Sequence, residues 1–112
     1  MRQRLDDAEI FGMRVYSKLR FKAMTLTLTG NITIDADSPP ILNIDPGGAI
    51  RTITLPATED GLIFIINHIG GAFDITINNA SASGIGTISQ NEAGVVLMVG
   101  TVAYLRLVGT ST

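Results

Sequence analysis

The segment from Met13 to Leu28 alternates between apolar and polar residues with a period of two, which is typical of an extended strand. Apolar residues occupy mainly odd-numbered positions up to Ala23 and even-numbered positions from Met24 onward. A change of phase by one residue moves the apolar side chains to the opposite face of a strand. The sequence therefore predicts a β-bulge or a strand break near Ala23.

After Gly30, short runs rich in isoleucine, valine and threonine are separated by glycine, proline, asparagine and aspartate, the residues that form turns. Strand starts recur about every 10 residues, a spacing typical of sandwiches and barrels. We expect an all-β fold, an antiparallel β-sandwich or jelly-roll-like body over residues 24–112. Residues 1–23 are expected to form an N-terminal arm, extended or partly helical. The strands predicted after Gly30 span residues 31–35, 41–45, 50–55, 62–67, 73–78, 85–89, 94–99 and 101–108.

Two of these runs, Leu62–Ile66 and Val95–Val99, are apolar without alternation. Runs of this kind are typical of central strands that are covered on both faces. The residues predicted to form the core or a contact between subunits are Leu62, Phe64, Ile66, Val96 and Met98.

The composition is unusually apolar for a chain of 112 residues, which fits one domain. Apolar residues make up 46% of the chain and charged residues 16%. Either the strands are buried on both faces, or another subunit covers part of the apolar surface. We therefore expect an oligomer. With no apolar leader segment and no apolar run long enough to span a bilayer, we expect a soluble protein without a membrane partner.

The charge is distributed unevenly along the chain. Residues 1–22 carry six cations and three acids, a net charge of +3. The remaining residues carry two cations and seven acids, a net charge of −5, so that the whole chain has a charge of −2. An acidic protein is a poor ligand for nucleic acid, and we expect the cationic arm to dock on a protein surface instead. The predicted docking residues are Arg14, Tyr16, Lys18, Arg20 and Lys22.

Few residues are available for catalysis or metal binding. The chain has one histidine, His68, and no cysteine, which excludes a Cys–His nucleophile system and a thiolate metal site. Asp35, Asp37 and Asp45 could bind Ca²⁺ or act as paired carboxylates. Their neighbours are serine, proline and glycine, and this context favours the capping of turns. We expect no enzymatic activity, no metal and no cofactor.

Several motifs together resemble the small head-decoration, or cement, proteins of tailed bacteriophages. They cover about residues 26–110 and include a Thr-Gly-Asn opening, a strand that ends Asp-Pro-Gly-Gly and an arginine-bearing strand that ends Leu-Pro. The matching segments read LTGNITIDADSPPILNIDPGGAIRTITLPATEDGLIFIINH, TISQNEAGVVLMVG and LVGTST.

The resemblance implies a virion structural protein on the outer capsid surface. Proteins of this family are usually trimers that stabilise the capsid by bridging adjacent major capsid proteins, and they have no catalytic residues to carry over. Two other interpretations fit the same pattern of strands and turns. One is a phage tail-fibre, spike or adaptor module. The other is a lectin-like domain that binds Ca²⁺ or carbohydrate.

Overall fold

The structure, a computed structural model, describes residues 20–109 and consists there of nine β-strands without a helix. The strands β2 to β9 each overlap a strand that the sequence predicts, and β1 begins at the change of phase. The strands are β1 (Ala23–Thr27), β2 (Ile32–Thr33), β3 (Ile41–Asp45), β4 (Arg51–Thr54), β5 (Ile63–His68), β6 (Ile75–Asn78), β7 (Gly84–Ile88), β8 (Glu92–Val99) and β9 (Val102–Gly109).

The strands form two sheets. The five-stranded sheet has the order β1-β3-β5-β8-β9, and the four-stranded sheet has the order β2-β4-β6-β7. From β1 to β6, consecutive strands alternate between the sheets, so each strand pairs in parallel with the strand two places along the chain. The chain thus makes successive windings that each add one strand to each sheet. The last three strands pair antiparallel with their neighbours.

The all-β class is confirmed, but the antiparallel arrangement expected for a sandwich or jelly roll is wrong. Both sheets are mixed, because four of the seven strand pairs in the described chain are parallel. A turn motif indicates that the chain changes direction. It does not indicate whether the next strand bonds to the previous one or crosses to the facing sheet, and here the first five connections cross.

One hydrophobic core draws on both sheets. Alternate residues of β3, β5 and β8 point inward from the five-stranded sheet, and alternate residues of β4, β6 and β7 point inward from the other sheet. This is the period-two pattern of strands that have one buried face. The buried apolar residues are Leu28, Ile34, Leu42, Ile44, Ile53, Leu55, Phe64, Ile66, Ile75, Ile77, Ile88, Val96 and Met98.

The turn after β3 brings two backbone segments into close contact. Asp45 Oδ1 accepts a hydrogen bond from the amide of Gly47 at 2.9 Å. Gly47 has φ +78°, and a Cβ atom at this position would lie 2.5 Å from the carbonyl oxygen of Leu28. This turn therefore needs glycine both for the left-handed conformation and for space.

Candidate interaction surface

The outward side of the five-stranded sheet is apolar along β5, β8 and β9. Since the inward residues of these strands belong to the core, the alternate residues point away from it. A sheet face in contact with water normally carries polar residues, yet this one carries mainly isoleucine, valine and leucine. We call this surface the apolar face. It consists of Ile41, Ile63, Ile65, Val95, Leu97, Val99, Val102 and Tyr104.

The strand register places these side chains in adjoining rows. Ile63 pairs with Leu97, which in turn pairs with Tyr104. The next row is formed by Ile41, Ile65 and Val95. Neighbours in such rows lie only about 5 Å apart, so the apolar side chains form one continuous patch.

Much of this patch is accessible to solvent in the single chain. Five of its members are between 41% and 50% exposed: Ile63, Leu97, Val99, Val102 and Tyr104. Apolar side chains that are exposed singly are normal, whereas a contiguous exposed group of this kind marks an interaction site. The apolar face is therefore the candidate functional site of the described chain.

The apolar face is uneven, with two shallow depressions. One has a volume of about 300 Å³ and lies between Val95, Leu97, Val99, Tyr104 and Arg106. The other has a volume of about 400 Å³ and is lined almost entirely by apolar atoms. Its lining residues are Phe21, Pro40, Ile41, Gly61, Ile63 and Ile65. Depressions of this size can receive single side chains of a partner, as in a packed protein interface.

Polar groups border the patch on one side. Asn67 Nδ2 donates to Asn43 Oδ1 at 2.8 Å, and Asn43 Nδ2 donates to Thr25 Oγ1 at 3.5 Å. The three residues lie side by side on β1, β3 and β5 and form a hydrogen-bonded ladder. On β9, the guanidinium carbon of Arg106 lies 5.7 Å from the centre of the Tyr104 ring, within the range of a cation–π contact.

The outward side of the four-stranded sheet has a different chemistry. Threonine occupies most of its outward positions, and Thr52, Thr76 and Thr87 lie side by side on β4, β6 and β7. Thr33 and Thr54 form a second pair on β2 and β4. We call this surface the threonine face. A hydroxyl-bearing face can remain in water, so the two outward surfaces of the molecule differ sharply in polarity.

His68 has a structural position at the end of β5. Its Nε2 lies 2.6 Å from the carbonyl oxygen of Phe73, and since a carbonyl oxygen can only accept, this nitrogen donates the hydrogen bond. Its Nδ1 atom is buried and has no hydrogen-bond partner among residues 20–109. The ring therefore connects the end of β5 to the segment before β6 by a hydrogen bond.

Of the three carboxylates considered for catalysis or Ca²⁺, those of Asp35 and Asp45 cap turns. Asp35 Oδ1 accepts from the amide of Asp37 at 3.0 Å and from the hydroxyl of Ser38 at 3.3 Å. Asp45 caps its own turn in the same way. Within the described part of the chain, no three acidic, histidine or cysteine residues are grouped as metal ligands would be.

Comparison with protein-family models, curated proteins and solved structures found no match. Between residues 20 and 109 there is also no helix whose length and apolarity would let it cross a lipid bilayer.

The structure separates the predicted site residues into two groups. Phe64, Ile66, Val96 and Met98 lie in the core between the sheets, and Leu62 packs against it. Of the predicted docking residues, Arg20 and Lys22 are exposed directly before β1. The other three, Arg14, Tyr16 and Lys18, lie outside the described residues.

The sequence prediction did not identify the apolar face itself, although its signal was present. In the run Val95–Val99, Val96 and Met98 face the core, whereas Val95, Leu97 and Val99 face outward. The absence of alternation was interpreted as a strand that is covered on both faces. Within residues 20–109 only the inward face of β8 is covered, and Leu97 and Val99 on its outward face are exposed.

Proposed function

We propose that this chain is a non-enzymatic virion structural protein that decorates and stabilises a phage capsid as a homotrimer, bridging adjacent major capsid proteins. The observation that carries the proposal is the apolar face. An exposed, contiguous group of isoleucine, leucine and valine side chains on one face of a sheet is suited to permanent contact with other protein.

The polar groups near the turns also fit a structural role. His68 and Asp35, the most obvious groups for acid–base chemistry, are each engaged in hydrogen bonds that hold local backbone in place. General acid–base catalysis needs a group free to exchange a proton with a substrate. A capsid clamp needs none, since its work is done by shape and by buried contact.

The location on a phage head rests on the sequence resemblance described above, which covers most of the chain. A protein in this location joins copies of the major capsid protein from outside and must contact both them and its own copies. The apolar face is suited to one of these contacts. The cationic arm, residues 1–23, is suited to the other, because electrostatic attraction steers a basic segment to an acidic surface.

Reversing the charge of the arm, or deleting the arm, is expected to abolish binding to capsids. The test variant carries Arg14→Glu, Lys18→Glu, Arg20→Glu and Lys22→Glu together, and a second variant lacks residues 1–22. Purified protein is mixed with expanded, undecorated heads of the phage that encodes it, and the bound fraction is measured by co-sedimentation. We expect strong binding of the unmodified protein that weakens as salt is raised, since salt screens exposed charges.

The matched control keeps the positive charge at each of the four positions and exchanges arginine and lysine: Arg14→Lys, Lys18→Arg, Arg20→Lys and Lys22→Arg. It is expected to retain most of the binding. The charge-reversed variant and the deletion variant should both remain folded and contain the same number of copies as the unmodified oligomer. If the charge-reversed variant binds heads as well as the unmodified protein does, the arm is not the docking element. If the unmodified protein binds tails and not heads, the proposed function is wrong.

A further inference from the structure

We propose that copies of this chain contact one another through the apolar face, with Leu97 of β8 near the centre of the contact. This inference rests on the self-association in the proposed function and assigns it to a surface. In this arrangement the threonine face remains in contact with water, and the cationic arm remains available to bind the capsid.

The size of the apolar face fits a stable contact between protein subunits. The strands β3, β5, β8 and β9 have 5, 6, 8 and 8 residues. With strands about 4.8 Å apart and a rise of about 3.3 Å per residue, their outer surface covers roughly 430 Å². Its accessible area is larger, because side chains stand out from the plane of the sheet. It is thus of the order of the approximately 800 Å² that each partner buries in a standard interface.

The composition of the apolar face indicates that a second copy of the chain covers it, and not a protein that binds transiently. Arg106 is the one charged residue at the outward positions of β5, β8 and β9, and its guanidinium lies over the ring of Tyr104. Charged residues are depleted at the centres of permanent interfaces and in homo-oligomers, whereas transient interfaces are more polar. An apolar patch that was free for part of the time would promote aggregation. The partner that is always present at equal concentration is another copy of the chain.

The edge of the five-stranded sheet indicates how the copies are arranged. In the described chain β9 has a single strand neighbour, β8, and apolar residues are exposed on both of its sides. Tyr104 belongs to the apolar face, whereas Leu107, on the opposite side of β9, is 48% exposed. A two-fold contact of face against face would leave Leu107 in water. In a cyclic arrangement, the apolar face of one copy packs against the β9 edge of the next copy. This arrangement covers both the apolar face and Leu107.

The test places a charge at the centre of the contact. Leu97→Lys puts an ammonium group at an exposed position of the single chain, where it is tolerated by the fold. The same group is buried and unpaired in the proposed contact, and we expect the association to weaken about 100-fold or more. The matched control is Thr76→Lys, which places the same lysine side chain on the threonine face. Sedimentation equilibrium gives the mass of each variant, and circular dichroism confirms that each retains its β-structure.

We expect the mass of three copies for the unmodified protein and for Thr76→Lys, and the mass of one copy for Leu97→Lys at the same concentration. Since the chain contains no cysteine, a second readout is available from Leu97→Cys and from Thr87→Cys, which lies at an exposed position of the threonine face. The thiol at position 97 should react with a thiol reagent roughly ten times more slowly than the thiol at position 87, because reaction requires access to solvent. This readout does not depend on how well the lysine variant folds.

The inference is overturned if Leu97→Lys keeps the mass of the unmodified protein, if the two thiols react equally fast, or if the unmodified protein is a single copy at high concentration. Head binding is measured separately on the same samples. Binding to heads by a single-copy protein would overturn this inference and the homotrimer, and would leave the proposed role in capsid decoration standing. If the protein forms a trimer through the apolar face but does not bind heads, this inference is supported and the proposed function is overturned.

Discussion

Replacing Phe64 with alanine is expected to lower the free energy of unfolding by about 3–5 kcal/mol. Phe64 is 1% exposed and is the largest of the fully buried side chains among residues 20–109. It points from β5 into the core between the sheets, so its removal leaves a cavity that the surrounding strands can fill only in part. A loss of this size is a large fraction of the roughly 5–15 kcal/mol that stabilises a typical domain.

The control for this prediction is Phe64→Leu, which keeps most of the apolar volume and is expected to cost about 1.5 kcal/mol or less. Both variants are compared with the unmodified protein by denaturation in guanidinium chloride at one protein concentration, because self-association adds to the apparent stability. Equal losses for the alanine and leucine variants would mean that Phe64 does not fill the core as described.

Replacing Gly47 with alanine is expected to lower the free energy of unfolding by about 2–5 kcal/mol. Two costs combine here. Alanine is disfavoured at φ +78°, and its Cβ would meet the backbone carbonyl of Leu28, which cannot move aside without disturbing the hydrogen bond from the Leu28 amide to Asp45.

The adjacent residue provides the control, because a Cβ atom on Gly48 would meet nothing within 4 Å. Gly48→Ala is expected to change the stability by no more than about 0.5 kcal/mol. The midpoint of thermal unfolding of the two variants measures the difference. A shift for Gly48→Ala as large as that for Gly47→Ala would show that the close approach of the two backbone segments is not the cause.

The positions of the strands could be predicted from the sequence, since each depends on local chemistry. The run Ile41–Asp45 is bounded by Pro40 and by Pro46-Gly47, and these residues fix where the strand begins and ends. The pairing of strands could not be predicted in the same way. The β1–β3 pair joins residues 18 positions apart, as in the register of Ala23 with Ile41, and no local signal distinguishes this arrangement from a hairpin.

The candidate surface could be predicted in part. The sequence of β8 shows that both of its faces are apolar, and the high apolar content suggests that another subunit covers one of them. Which face remains exposed depends on where β6 and β7 lie, and that is a property of the tertiary structure. The turn-capping roles of Asp35 and Asp45, by contrast, follow from their immediate neighbours and agree with the prediction.

The central claim is that this chain assembles through its apolar face on the outside of a phage head. Electron cryo-microscopy of expanded, undecorated heads mixed with the purified protein tests it most directly. The account predicts density of three copies at three-fold or quasi-three-fold positions, with the apolar faces of residues 20–109 turned towards the local axis and the threonine faces towards solvent. Heads without added density, or density only on tails, would contradict the account.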